Sequence, residues 1–186
     1  LYTDEKVSSS SPIPNKKLST KTLVLAAIFV AMNIILTRVG AIMLFGGSIR
    51  FSFGNIPVIL SGIILGPAAG GMTGAVGDLL GVFINSHGGA FHPGFTLSAI
   101  LTGILPGLVV KISSAKKLSL FNIVISNVAI LIIVSICLNT YWISQLQGNA
   151  YLVLLPARVA ASIIITGLNI LITYPLVKSL EKTGVL

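Results

Sequence analysis

GPAAGGMTGAVGDLLG, residues 66–81, decides the fold. The stretch is apolar and glycine-rich, with one acid, Asp78, near its end. Glycines 66, 70 and 74 recur every four residues, and Gly77 and Gly81 continue the series on a neighbouring face. Small residues at that spacing let helix backbones approach closely in lipid. A carboxylate at membrane depth costs a few kcal/mol and rarely persists without a partner or a ligand. The segment therefore predicts a membrane helix packed within a bundle, with Asp78 kept from lipid tails.

The rest of the 186-residue chain agrees. Its mean hydropathy is +1.01, with 54% hydrophobic and only 9% charged residues. Soluble domains carry about a quarter charged residues, so the composition is that of a membrane protein. A net charge of +8 would suggest nucleic acid in a soluble protein. Here the lysines cluster at span ends, where anionic lipid accounts for them, and no nucleic-acid partner is expected. Cys137 stands alone in an apolar run and reads as a small packing residue.

A crossing helix needs about 20 mostly apolar residues, fewer where it is broken or packed by neighbours. Six spans are expected, giving an all-α integral membrane protein: residues 20–38, 53–65 (short, with Pro57), 68–84 after a Gly66-Pro67 turn, 95–112, 120–142 and 152–180. Residues 1–17 are polar and Ser/Pro-rich, and are expected to be disordered or left from expression or processing. Residues 18–186 form one six-helix membrane domain. Lys16, Lys17 and Lys21, then Lys111, Lys116 and Lys117, then Lys178 and Lys182 all fall on one side of such a bundle. The positive-inside rule makes that side, and both termini, cytoplasmic.

Catalysis has no sequence support. The chain lacks a phosphate-binding G-x-x-x-x-G-K-[ST] loop, an H-E-x-x-H or C-x-x-C metal motif and a G-x-S-x-G nucleophile setting. Neither a metal nor a cofactor is expected. Binding or conduction of something polar remains. The outward side offers Arg38, Arg50, His87, Phe91, His92, Phe95, Asn139, Tyr141, Trp142 and Gln145, with Arg158 about two turns into the last span. These loops are positive and hold no acid, which favours an anionic solute. Alternatives stand beside each ligand role. Tyr141 and Trp142 suit an interfacial belt, and Arg38 can snorkel to lipid phosphate. Arg158 and Asp78 can form a structural ion pair, and His87 and His92 can simply tie their loop.

Several runs carry a resemblance: Arg50-Phe-Ser-Phe-Gly-Asn-Ile-Pro57, Gly62-Ile-Ile-Leu-Gly-Pro67, Gly77-Asp-Leu-Leu-Gly81 and Phe91-His-Pro-Gly-Phe-Thr-Leu-Ser-Ala-Ile-Leu-Thr-Gly103. Together they resemble the substrate-binding S components of energy-coupling factor (ECF) vitamin transporters, in the folate-type branch. Residues 93–107 are the most branch-specific part, and the likeness spans about 18–180. It implies a six-helix protein that captures a vitamin, here folate, from outside a bacterial cell. It also implies a transmembrane coupling subunit and two cytoplasmic ATPases as partners, which fits the missing phosphate loop. Ala27-Ile-Phe-Val-Ala31 stands where the family docks on its coupling subunit.

Under that resemblance Asp78 would accept the amidine-like edge of the pterin. Phe53, Phe91, Phe95 and Trp142 would wall the aromatic ring, and Arg50, Arg38 or His92 would meet the glutamate carboxylates. Arg158 and Asn139 complete the candidate set. Other anionic vitamins, such as pantothenate or a flavin, and a stand-alone proton-coupled transporter using Asp78, are the alternatives.

Overall fold

The computed structural model describes residues 19–38, 42–44, 49–84, 91–113 and 119–182, with backbone alone for 42–44 and 49–51. The described elements are α1 (Thr20–Arg38), a hairpin of β1 (Ile42–Leu44) and β2 (Ile49–Phe51), α2 (Asn55–Leu65), α3 (Pro67–Ile84) and α4 (Pro93–Ser113). α5 (Leu120–Ala129) runs through a π-helical stretch (Ile130–Asn139) into α6 (Thr140–Gln147), and α7 (Tyr151–Lys182) follows. α5, the π stretch and α6 form one rod, so the described residues hold five helices long and apolar enough to cross a membrane plus the shorter α2.

The expected all-α, six-column architecture is present. The segment read as a plain loop after α1 adds the antiparallel hairpin, in which Met43 faces Arg50. The fifth column also continues past Trp142. Hydropathy falls in the polar run TYWISQLQ, but the helix itself stops only at Gly148, whose φ of 66° is left-handed.

α2 is short because it sits inside the bundle. Every residue from Ile56 to Ile63 is buried, and α1, α3, α4 and α7 all pack against it. A helix apolar on all sides belongs in such a core. Ile56, Ile59, Leu60 and Ile63 meet Ile123, Ile130, Val134 and Val177 there.

Glycine draws α2, α3 and α4 into backbone contact. A Cβ on Gly62 or Gly70 would run into the carbonyl oxygen of Gly103, and one on Gly74 into that of Ala99. Gly66 departs from this face. Its φ of 90° ends α2, and nothing lies within 4 Å of where its Cβ would be. It is therefore a turn residue, with Pro67 opening α3 where a missing N–H costs nothing. Gly77 and Gly81 face α1, meeting Asn33 and Arg38.

The alternating columns place Lys21, Lys111, Lys178 and Lys182 at one end and Arg38, His92, Trp142 and Tyr151 at the other. Residues 1–17, Lys116, Lys117 and His87 lie outside the described residues.

Candidate functional site

Asp78 is in the last turns of α3. Its Oδ1 lies 3.6 Å from an Arg38 terminal nitrogen, with side-chain exposures of 18% and 7% respectively. The same nitrogen donates to the Asp78 carbonyl at 3.4 Å, and Thr96 Oγ1 donates to Asp78 Oδ2 at 2.8 Å. Arg38 reaches the carboxylate because Gly81, three residues along α3, leaves its guanidinium room to lie across the helix.

This decides against two of the alternatives the sequence left open. The half-buried acid is paired with Arg38, not with Arg158, and Arg38 turns into the bundle instead of out to lipid phosphate. Arg158 instead donates from Nε to Thr140 Oγ1 at 3.1 Å.

An aromatic group forms at the start of α4, where Phe95 precedes the Thr96 that bonds Asp78. The His92 ring sits 5.2 Å from Trp142 at 40° and 5.9 Å from Phe95 in an edge-on arrangement. Tyr141 packs edge-on to Trp142 at 5.0 Å. Gly94 makes the arrangement possible, since a Cβ there would strike the Trp142 indole and His92. The Gly94 N–H donates to His92 Nδ1 at 3.1 Å, so the neutral imidazole carries its proton on Nε2 as a donor.

Gly94→Ala is therefore expected to displace the indole. Trp142 is the chain's one tryptophan, so its emission should shift to the red in the ligand-free protein. Unchanged emission would show that the indole does not rest on Gly94.

Three buried polar atoms on α4 and the rod have no partner within the protein among the described residues: Trp142 Nε1, Asn139 Oδ1 and Ser98 Oγ. Ser98 is one helical turn from Gly94 on the same face of α4. Leaving such a group unmet costs about 1–3 kcal/mol. The indole N–H is thus an unmet donor within the aromatic group, as recognition of a polar heterocycle requires.

The described contacts join Arg38, Asp78 and Thr96 in one group and His92, Phe95, Tyr141 and Trp142 in another, while Arg158 meets Thr140, the residue after Asn139. Phe91 lies at the mouth of α4 and is exposed. Phe53 packs against the α2 core. Arg50 is on β2, and its side chain is outside the described residues.

Sequence reading does not pick out Thr96, Ser98 or Thr140. A hydroxyl in a membrane helix commonly bonds its own backbone, as Thr102 does to the Ser98 carbonyl at 2.8 Å. Nothing in the sequence separates Thr102 from Thr96. The remaining clue, the shared face of Gly94 and Ser98, becomes informative only once Trp142 is known to lie on it.

A family model described as ECF-type riboflavin transporter, S component, matches residues 17–182. The chain belongs to this family of ECF-type S components. An S component is a substrate-binding subunit of a transporter, not an enzyme. Among curated relatives, a protein named folate transporter FolT from Clostridium novyi (strain NT) is 30% identical over 88% of this chain and 92% of its own length. Another of that name, from Leuconostoc mesenteroides subsp. mesenteroides, is 27% identical over 85% of each.

Among solved structures, one described as FolT bound with folic acid superposes with a TM-score of 0.75 at 26% identity, covering 87% of this S component and 95% of that chain. A second, described as the S component of a bacterial ECF transporter, supports the fold with a TM-score of 0.60 at 22% identity over 86% and 97%.

Proposed function

We propose that this S component captures folate from outside the cell and hands it across the membrane in complex with an ECF coupling subunit and two cytoplasmic ATPases. The likeness to a FolT structure bound with folic acid carries the reading. Charge supports folate over the riboflavin of the family's description. Riboflavin presents a neutral ring system and polyol, whereas folate ends in two carboxylates. The site end of the chain holds Arg38, Arg50 and Arg158 against the single acid Asp78, a balance suited to a dianion.

In this reading the pterin edge meets Asp78, whose oxygens keep lone pairs beyond those used by Thr96 and Arg38. Trp142, Phe95 and His92 wall the p-aminobenzoate ring, with Phe91 at the entrance and Phe53 behind. Asn139 supplies a polar contact deeper in, and the basic residues receive the glutamate. The lysine-bearing end and both termini face the cytoplasm. Ala27 and Ala31, both exposed on α1, offer the coupling subunit a flat helix face.

Calorimetric titration of the purified protein, without ATP, tests the substrate. Folate is expected to bind at least about 100-fold more tightly than riboflavin or pantothenate, roughly 2.8 kcal/mol. Tight riboflavin binding with none for folate would overturn the assignment.

A further inference from the structure

We infer that Thr140 is a positioning residue, setting Asn139 and Trp142 in the site by clamping the π stretch that carries them. The ten residues Ile130–Asn139 are π-helical. Such turns are rare, and mostly brief, because they leave the favoured i→i−4 ladder. At the exit of the stretch the Thr140 N–H turns to the Cys137 carbonyl. The two preceding carbonyls accept side-chain hydroxyls: Thr140 Oγ1 donates to Ser135 at 3.0 Å and Tyr151 Oη to Ile136 at 3.2 Å.

The Thr140 hydroxyl is used twice, since it also accepts from Arg158 Nε. One fully buried oxygen thus joins a carbonyl of the π stretch to the guanidinium on α7. Tyr151, also on α7, holds the next carbonyl. The Thr140 clamp is made within the rod and braced by Arg158, and the second comes from Tyr151, so α7 supports the wide register at both carbonyls.

Register matters because Asn139 and Trp142 lie at and just beyond the end of the stretch. Shifting a helix by one residue turns every later side chain by about 100°. If the π stretch tightened toward α, the Trp142 indole would leave Gly94 and Asn139 would leave the buried position it now holds. Arg158 thereby acts on the site through Thr140.

The test compares Thr140→Val with Thr140→Ser. Valine keeps the shape and removes the hydroxyl; serine keeps the hydroxyl. Thr140→Val is expected to red-shift Trp142 emission in ligand-free protein and to weaken folate binding about tenfold, while Thr140→Ser restores both. Wild-type emission and affinity within twofold in Thr140→Val would overturn the inference.

Should Thr140→Val not fold, Tyr151→Phe removes the second clamp and keeps the ring. A red shift with about threefold weaker binding is expected there, and no change in either would again overturn it. The affinity arm rests on the folate reading, whereas the emission arm does not. Wild-type protein that fails to bind folate would defeat that reading and leave the clamp to be judged by emission alone.

Discussion

Gly103→Ala is expected to destabilise the bundle by about 1–3 kcal/mol, toward the upper end of what one inserted methyl usually costs in a packed interior. The new Cβ would meet the Gly70 carbonyl carbon and oxygen, with the Gly71 nitrogen 2.9 Å away. These are backbone atoms at the centre of the α3–α4 contact, so no rotamer change relieves the overlap. The helices would have to part, and Gly62, which shares the Gly103 carbonyl, would lose its fit as well. Gly167→Ala is the matched control. Gly167 lies in α7 with nothing within 4 Å of its notional Cβ, and alanine is the better helix former by about 1 kcal/mol. Thermal unfolding in detergent should show a lower midpoint for the first variant and an equal or higher one for the second. Equal midpoints would mean that α3 and α4 are not in backbone contact.

Substitution at the Arg38–Asp78 pair has the next largest expected effect, and it separates structure from binding. Truncating one member of a buried pair costs roughly 3–5 kcal/mol when the remaining charge is fully enclosed. Asp78 keeps 18% of its side-chain surface exposed, so about 2 kcal/mol is a fair expectation for Arg38→Gln. Asp78→Asn keeps a group that can still accept from Thr96, and should unfold less readily. If the carboxylate binds the pterin edge, Asp78→Asn should weaken folate by roughly 1–3 kcal/mol, as for other hydrogen bonds to a charged group. The double variant should regain part of the stability lost in Arg38→Gln, but none of the affinity. Wild-type affinity in folded Asp78→Asn would leave the acid only its structural role beside Arg38.

The helix columns were legible in the sequence because lipid imposes length and apolarity, while Gly66-Pro67 and the lysine clusters mark ends. Even the short second span was visible, though its cause, enclosure by four other helices, was not. Pairing of charges was the weakest point. Arg158 and Arg38 are alike in sequence as partners for Asp78, and Gly81 decides between them by opening a path across α3 that only the folded bundle reveals. The π stretch left no mark either. ILIIVSICLN would make an ordinary apolar α-helix, and its wider register is held by Thr140 and Tyr151 from beyond its C-terminal end. Uncharged hydroxyls are quiet in sequence and decisive in place.

The brevity of α2 bears on how far a solute must travel. Its 11 residues rise roughly 16 Å at about 1.5 Å each, close to half of a hydrocarbon layer some 30 Å thick. Above α2 the column is completed by bent chain at Ser52–Gly54, tied to α1 where Asn33 donates to the Gly54 carbonyl at 2.8 Å and Ser52 to that of Leu36 at 3.2 Å. Irregular backbone at that depth survives only where protein encloses it or water reaches it. The two ends of this column are thus unlike, with buried apolar helix toward the lysine-bearing end and hydrogen-bonded polar chain toward the Arg38 end. A polar solute entering from the Arg38 end would meet hydrogen-bonding chain before it met apolar helix.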